Sequence, residues 1–297
     1  MQVQDADLKL LRIFDTIVKS GGFAAAQSAL NLGASSISEY VSQLESRLGV
    51  RLCERGRSGF RLTDEGAKLH AASQRLLGAV DSFHMEAMDL RQQLQGQLRF
   101  GMVEATLFDE HAPLLPAVRA FGRMAPNVDL EVEIDTPSGL EQKVLDGRLH
   151  LAVGPFPGKV PGLVYEPLYT EEQGLYCAST HALFDIPDPM LQVDDIRHAR
   201  FVARAYLGHL EHTLLGISRP AASVDTVEGR ALLILSGNYI GFLPPPYAQK
   251  WQDLGLLRRL DASRFYTRLV FHVIQRQGAS PSRAVLGFID ILKQMAT

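Results

Sequence analysis

Cysteine is scarce in this 297-residue chain, with two residues, and there is no overall excess of positive charge, since the formal net charge is -3. Cys53 and Cys177 lie far apart, in apolar stretches and outside any C-x-x-C spacing. That excludes a disulfide scaffold, argues against a zinc site and fits a reducing compartment. Long apolar runs are missing too. Ala231-Leu232-Leu233-Ile234-Leu235 is typical of those present, and a bilayer span needs about 20 residues. Met1-Gln2-Val3-Gln4-Asp5 has neither the basic nor the apolar segment of a signal peptide, so the expectation is a cytoplasmic protein with no membrane partner. Neither G-x-G-x-x-G, a P-loop nor G-x-S-x-G occurs, which removes the common phosphate cradle and nucleophile elbow. No catalytic constellation stands out, so an enzyme is not expected and no cofactor is implied. His209 and His212 could share a helix face, but no third ligand accompanies them, and solvated histidines are the expectation there rather than metal.

What is present is ordinary globular composition, 46% hydrophobic and 21% charged, and a length that accommodates roughly two domains. Charge is uneven along the chain. From Arg47 to Arg75, Arg47, Arg51, Arg55, Arg57, Arg61, Lys68 and Arg75 face only Glu54, Asp64 and Glu65, a local net of +4 inside an acidic protein. Such a stretch reads as a nucleic-acid footprint or as a solvated face. Helical spacing of Leu8, Leu11, Phe14 and Ile17 predicts a helix over Leu8 to Val18, stopped by Gly21-Gly22. A short helix, Phe23 to Leu30, and a turn, Asn31-Leu32-Gly33, come next. The third helix, Ala34 to Leu48, carries Ile37, Val41, Leu44 and Leu48 on one face and Ser35, Ser36, Glu39, Ser42 and Ser46 on the other, with Gly49 as its stop. Two short helices, a tight turn and a half-polar second helix are a helix-turn-helix.

Val50 to Leu62 predicts two short strands around Arg55-Gly56-Arg57-Ser58-Gly59, and Thr63 is a plausible N-cap with Asp64 and Glu65 behind it. A heptad pattern then runs through Leu69, Leu76, Phe83 and Leu90, interleaved with Ser73, Val80, Ala87 and Leu94. This is coiled-coil spacing, and a helix of about 30 residues would be roughly 45 Å long. The seam asks for a partner helix; the alternative is a long helix packed on its own domain. Beyond Gly96, strands at Leu98 to Val103, Val128 to Ile134 and Leu149 to Val153 alternate with helices at Leu114 to Met124 and Leu140 to Leu145, which implies a largely parallel sheet. After a loop rich in Pro and Gly, strands at Leu163 to Tyr169 and Leu175 to Ser179 lead to a second set: Phe201 to Ala203, Ser223 to Val227, helix Glu228 to Leu235, and Tyr239 to Leu243. Arg268 to Gln275 (strand) and Ser282 to Met295 (helix) end the chain. Two α/β blocks joined by long strands suggest two lobes with a cleft. The expected division is 1–66, 67–95 and 96–297.

Leu8 to Gln95 resembles the LysR-type transcriptional regulators. The resemblance is carried by Leu11-Arg12-Ile13-Phe14, Gly21-Gly22-Phe23-Ala24-Ala25-Ala26, Ser36-Ile37-Ser38, Leu44-Glu45-Ser46-Arg47-Leu48-Gly49-Val50, Arg51-Leu52-Cys53-Glu54-Arg55 and Arg61-Leu62-Thr63-Asp64-Glu65-Gly66. The remainder is similar to the family's effector domain through Leu98-Arg99-Phe100-Gly101, Leu145-Asp146-Gly147-Arg148-Leu149-His150-Leu151-Ala152-Val153 and Ser236-Gly237-Asn238-Tyr239-Ile240-Gly241-Phe242-Leu243-Pro244. The fold implied is an N-terminal all-α winged helix-turn-helix with a long linker helix, then a C-terminal α/β two-lobed domain like the type 2 periplasmic binding proteins. Three positions depart from the family pattern: Ala24 and Gly33 where a hydroxyl residue is usual, and Glu39 where Arg is common. Lost hydroxyls and a reversed charge should weaken phosphate contacts.

The resemblance implies double-stranded DNA as a partner, read at a two-fold promoter site by a homodimer or homotetramer. Ser35, Ser36, Ser38, Glu39 and Ser42 would face base edges or phosphates from the major groove, since Glu accepts from a cytosine amino group, and Arg55, Arg57 and Arg61 would hold phosphates from the wing or enter the minor groove. The bland reading of all eight is polar surface. Ligands of such two-lobed sheets sit where strands end and helices begin. That nominates Glu104, Thr106, Thr136, Ser138, Arg204 and Thr226 as effector-binding, or as plain capping and loop residues. Arg204 suits a carboxylate effector, whereas Glu104 favours an amine or hydroxyl. The leading function is therefore a regulator whose DNA binding responds to a small molecule. Its alternatives are a cytoplasmic small-molecule binding protein with weak or lost DNA binding, and an enzyme on the C-terminal fold.

Overall fold

A computed structural model describes residues 5–56, 59–89, 94–279 and 281–296. The chain packs as two compact units that part at residues 87 and 88. In the first, α1 (Asp5–Lys19), α2 (Phe23–Leu30) and α3 (Ala34–Leu48) precede a hairpin of β1 (Cys53–Gly56) and β2 (Gly59–Leu62) and the long α4 (Asp64–Asp89). The apolar spacing read from the sequence is the core. Ile13, Ile17, Ala26, Ile37, Val41 and Cys53 form one cluster, and Leu10, Leu11, Phe14, Leu44 and Leu52 another. Phe14, Ile17, Ile37 and Leu44 are fully buried, and each such side chain contributes about 1.5–3 kcal/mol. Two glycines are required by close approach. A Cβ on Gly22, which sits at φ 143, would lie 3.1 Å from Phe60 Cβ, and one on Gly66 would lie 1.9 Å from the Leu52 carbonyl oxygen. The wing thus packs on the turn before α2 and on the first turn of α4.

Thr63 caps α4 as the sequence suggests, its hydroxyl accepting the Gly66 N–H at 2.9 Å. Its described part has 26 residues, which at 1.5 Å per residue is about 39 Å, and residues 90–93, which the expected helix of roughly 30 residues would include, lie outside the described residues. Its heptad seam is divided. Leu69 and Leu76 pack into the core beneath α1 and Ser73 is buried, while Phe83 is 71% exposed; Leu90 lies outside the described residues. The first half of the seam is therefore used by its own domain. Asp15 strengthens that seating, bonding His70 Nε2 at 2.9 Å and Gln74 Nε2 at 3.3 Å.

In the second unit, a first lobe is built on β3 (Gly96–Met102), β4 (Val128–Ile134) and β5 (Leu151–Pro155), with α5 (Leu114–Met124), α6 (Pro137–Leu145) and the C-terminal α11 (Arg283–Met295). β3 pairs parallel with β4 and β5. Phe288 of α11 meets Phe100 and Phe121 with ring centroids 5.1 and 5.2 Å apart. A second lobe holds β7 (Val202–Arg204), β8 (Ala222–Val224), β9 (Gly241–Leu243), β10 (Leu257–Arg259), α7 (Val193–His198), α8 (Leu210–Leu214), α9 (Val227–Leu235) and α10 (Pro245–Asp253). Two long strands, β6 (Leu163–Ala178) and β11 (Tyr266–Arg276), run antiparallel through both lobes, giving the sheet order β10-β6-β11-β5-β3-β4 with β9 on β6.

The sheet is therefore mixed rather than largely parallel. β6 is one strand of 16 residues, where the sequence suggests two. The polar stretch Thr170 to Gly174 breaks the apolar pattern, yet each of its residues pairs with β11 between Tyr266 and Val270. α7, α8 and β10, at 6, 5 and 3 residues, are too short for periodicity to mark them.

Candidate functional site

Two surfaces carry the residues nominated from sequence, one in each unit. On α3, Ser35, Glu39 and Ser42 are exposed and Ser36 and Ser38 half-buried, while Ile37, Val41 and Leu44 point into the core. Spacing of four, three and four puts Ser35, Glu39, Ser42 and Ser46 on one outward face. The Ser42 hydroxyl is turned inward, donating to the Ser38 carbonyl at 2.9 Å, and Glu39 Oε1 accepts from Gln43 at 3.4 Å. Gly33 at the N-cap supplies no side-chain bond, so the first amides of α3 rely on other acceptors, and phosphate is a natural one. On the wing, Arg61 is 81% exposed and lies 3.5 Å from Glu54. Arg55 is in β1, and Arg57 lies outside the described residues.

In the second unit a cleft of about 240 Å³ opens where strands of both lobes end. Val103, Glu104 and Ala105 follow β3; Asp135, Thr136 and Pro137 lead into α6; Glu171 stands on β6; Arg204 and Tyr206 close β7; Asp225, Thr226 and Val227 open α9. Of the six nominated residues, Glu104, Thr136, Arg204 and Thr226 line it, and Thr106 and Ser138 do not. Thr106 is buried behind the cleft, its hydroxyl on the Val103 carbonyl at 2.8 Å. Ser138 is exposed on the first turn of α6.

Those that do line it are largely engaged. Thr136 accepts the Gly139 amide at 3.2 Å and Thr226 the Gly229 amide at 3.0 Å, so both cap their own helices. Glu104 reaches across the cleft, Oε1 accepting the Val227 N–H at the start of α9. Ala105, beside it, adopts φ 61, a left-handed geometry that costs a non-glycine residue about 1 kcal/mol. Arg204 donates Nε and Nη2 to Glu211 Oε1 at 2.9 and 2.7 Å, and Nη2 also reaches Gln173 at 3.2 Å. Its fork is thus filled by the protein, not left open for a ligand carboxylate.

Beneath the cleft lies a buried ionic group that sequence reasoning missed. Arg204, Glu211 and Arg230 are 3%, 2% and 0% exposed. Burial alone would neutralise such groups, but the two guanidiniums hold Glu211 below the usual carboxylate range. Glu211 in turn raises Arg204. Arg230 is less well served. Burial and the charge of Arg204 pull it down to about 10, and its Nε and Nη2 meet no acceptor among the described residues. Glu171 is the other outlier, pushed up to about 7 by burial, with Asp109 adding to the shift and Arg204, Arg230 and a bond from Gln173 opposing it. Asp135 behaves oppositely: Lys143 Nζ at 2.8 Å and the Thr136 amide overcome burial and lower it. Glu171 is hidden from sequence because Thr170 to Gly174 reads as a loop, and Glu211 because its partners come from β7 and α9. His209 and His212, weighed as metal ligands, have ring centroids 6.5 Å apart, and His212 is buried.

Comparison with known proteins agrees with this arrangement. The family "Bacterial regulatory helix-turn-helix protein, lysR family" matches residues 8–67, and "LysR substrate binding domain" matches 91–297. The chain is 41% identical over 293 residues to the HTH-type transcriptional activator BauR of Pseudomonas aeruginosa, covering 97% of this chain and 95% of that one. It is 27% identical to the HTH-type transcriptional regulator GltR of Bacillus subtilis, covering 97% and 96%. Among solved structures, CbnR, a LysR family transcriptional regulator, superposes with a TM-score of 0.67 at 18% identity, over 98% of this chain and 99% of that one. Full-length CbnR complexed with its target DNA also gives 0.67, at 20% identity and over 97% and 99%. A lysR-type helix-turn-helix followed by a LysR substrate-binding domain, matched end to end by a relative at 41% identity, makes this chain a member of the LysR family of transcriptional regulators.

Proposed function

We propose that this regulator binds a two-fold promoter site as a homodimer or homotetramer and that a small molecule seated in the cleft changes that binding. The observation that carries the reading is the outward polar face of α3, with Ser35, Glu39 and Ser42 exposed above a fully apolar inner face. A helix so divided can enter the major groove with base-reading side chains already presented. Ser35, Ser36 and Glu39 are assigned to base edges, Ser38 and Ser42 to the flanks of that face, and Arg55, Arg57 and Arg61 to phosphates from the wing. Residues 67–95 are assigned as the linker that pairs two chains, with Phe83 at 71% exposure as its first free apolar position, between a head at 1–66 and a sensor at 96–297. Glu104, Thr136, Arg204 and Thr226 would shape the cleft around the effector, with Thr106 and Ser138 supporting from behind and beside it. BauR is named an activator, which supports activation as the output, and the cytoplasm as the place of action.

A second reading, a cytoplasmic ligand-binding protein with weak or lost DNA binding, draws on Ala24, Gly33 and Glu39, which stand where hydroxyl residues and a positive charge would contact phosphates. Footprinting on the chain's own upstream region separates the two. A protected two-fold site that weakens in Ser35→Ala/Glu39→Ala, and whose affinity falls steeply with salt, supports the regulator. Absence of a specific footprint at low salt refutes it.

A further inference from the structure

With the cleft taken as the effector's site, a reading on which the present inference rests, its lining constrains the chemistry of the effector. Inside the cleft, the places that would attract an anion are already occupied by the protein. Glu104 takes the first amide of α9, Thr226 the Gly229 amide, Asp135 the Thr136 amide at 2.7 Å, and Thr136 the Gly139 amide. Arg204 spends Nε and Nη2 on Glu211 and Gln173, leaving Nη1 a long 3.5 Å contact with the Tyr206 hydroxyl. A ligand carboxylate would therefore enter past Glu104, Asp135, Glu171 and Asp225 to meet one cation, Arg204, whose Nε and Nη2 are already bonded to Glu211 and Gln173.

Glu171 is the reverse case. It lines the cleft at 6% exposure and accepts a bond from the Gln173 amide through Oε2. Among the described residues no Lys or Arg lies within ion-pair distance of it, although Asp135, Glu211 and Glu172 each have such a partner. A buried carboxylate without a counter-ion is destabilising by several kcal/mol unless something neutralises it. Glu171 borders two cavities, one shared with Asp109, His111 and Arg268 and the cleft of about 240 Å³, and the cleft is of a size for a small metabolite rather than a drug-sized ligand. We propose that the effector carries an ammonium group and that Glu171 is its counter-ion in the cleft, so that ligand binding completes an ion pair the free protein lacks.

Calorimetric titration of the full-length protein at pH 8 with butylamine, butyramide and butyrate, which share a chain and differ in head group, tests this. Butylamine should bind at least tenfold more tightly than butyramide or butyrate, and in Glu171→Gln, which keeps the shape and removes the charge, that margin should vanish. The groups facing Glu171 are Arg204 from β7, Arg230 from α9, Asp109 from the loop before α5, and Tyr169 and Gln173 on its own strand, with Glu104, Asp135 and Asp225 around the cleft and His111 and Arg268 around the second cavity it borders. With Glu171 ionising near pH 7 among them, amine affinity should fall about tenfold per pH unit below that point. Ile134→Trp, on the exposed rim of the cleft, should abolish binding of every probe that sits there. Preference for butyrate or butyramide that is lost in Ile134→Trp would overturn the ammonium assignment and leave the cleft as the effector site. Amine binding that survives Ile134→Trp would overturn both. Equal affinity of Glu171→Gln and the parent for butylamine, or absence of binding by butylamine, would overturn the assignment as well.

Discussion

Glu211 and Arg230 belong to the same buried group, yet the structure makes opposite demands of them. Glu211 accepts the Arg204 amide at 3.0 Å through Oε2, and through Oε1 it takes Arg204 Nε, Arg204 Nη2 and, at 3.5 Å, Arg230 Nη1. In Glu211→Gln two guanidiniums at 3% and 0% exposure would lose their shared anion, and one of the replaced oxygens would become an N–H facing other donors. Breaking a buried pair by removing one partner costs about 3–5 kcal/mol, because the surviving charge is stranded away from water. With a urea slope of about 2–3 kcal/mol per molar for a unit of this size, the midpoint should fall by about 1.5 M. Arg230→Met should do nothing of the kind. Arg230 brings two donors that meet no acceptor among the described residues and a charge that burial disfavours, and its loss strands no ion, because Glu211 keeps Arg204; the penalty of an uncompensated buried charge therefore does not arise. The assay is direct, because the single Trp of the chain, Trp251, packs beside the core of the second lobe, and its fluorescence follows unfolding of that unit. A Glu211→Gln midpoint within about 0.3 M of the parent, or equal losses in both variants, would refute the account, since a shift that small is below 1 kcal/mol.

Two further outcomes concern pH. Glu171 ionises near 7 in the folded chain against 4.5 in the open chain, so between those values the folded state holds the extra proton and stability falls as pH rises. Glu171→Gln should therefore be about 3 kcal/mol more stable than the parent at pH 8, and the two should converge near pH 4 in chemical denaturation; a constant difference across that range would contradict the burial argument. Asp15 has the opposite sign. Burial would raise it, but bonds from His70 and Lys19 outweigh that and bring it from 3.8 to about 2, so its contribution is present above pH 3.8 and lost as pH falls towards 2. Asp15→Asn should cost the N-terminal unit about 2 kcal/mol at pH 7 and nothing at pH 2, as read by the helical signal in thermal unfolding.

How legible each unit is from sequence depends on the range of its interactions. The helices of the head are written in local spacing: Leu11, Phe14 and Ile17, then Ile37, Val41 and Leu44, are apolar at helical intervals, and all are buried. The heptad in α4 is legible as a seam but not as a divided one. Spacing alone cannot say whether Leu69 and Leu76 face a second chain or α1, because both surfaces are apolar; the choice is made by Leu10, Leu11 and Phe14, which come from the far end of the same domain. In the sensor the strand ends of β3, β4 and β7 are legible because α/β order dictates them. The short helices are not, since α7, at 6 residues, and α8, at 5, span too few turns to show a period.

The site shows where that kind of reading stops. Strand ends tell where a ligand would sit, and Glu104, Thr136, Arg204 and Thr226 do stand there. What they cannot tell is what each residue is already doing, because that depends on partners remote in sequence. Glu104 and Val227 meet from 123 positions apart. Arg204 and Gln173 lie 31 apart, and Glu211 reaches Arg204 only because β7 turns back into α8. An arginine at a strand end looks like a carboxylate receptor until its counter-ion is found, and once Glu211 fills the fork the same residue becomes scaffolding for the cleft floor. The charge left without a partner is then the informative one. Glu171 sits in the stretch that looks least structured in the sequence, and it is held in β6 by pairing with Leu269 of β11. A ligand can shift a two-state cleft only by the difference in its affinity for the two states. Glu104 bonds α9 from the opposite lobe, so any opening of the cleft would have to break that bond. An effector that carried the missing counter-ion to Glu171 would hold the same two walls together where no Lys or Arg among the described residues pairs with that carboxylate.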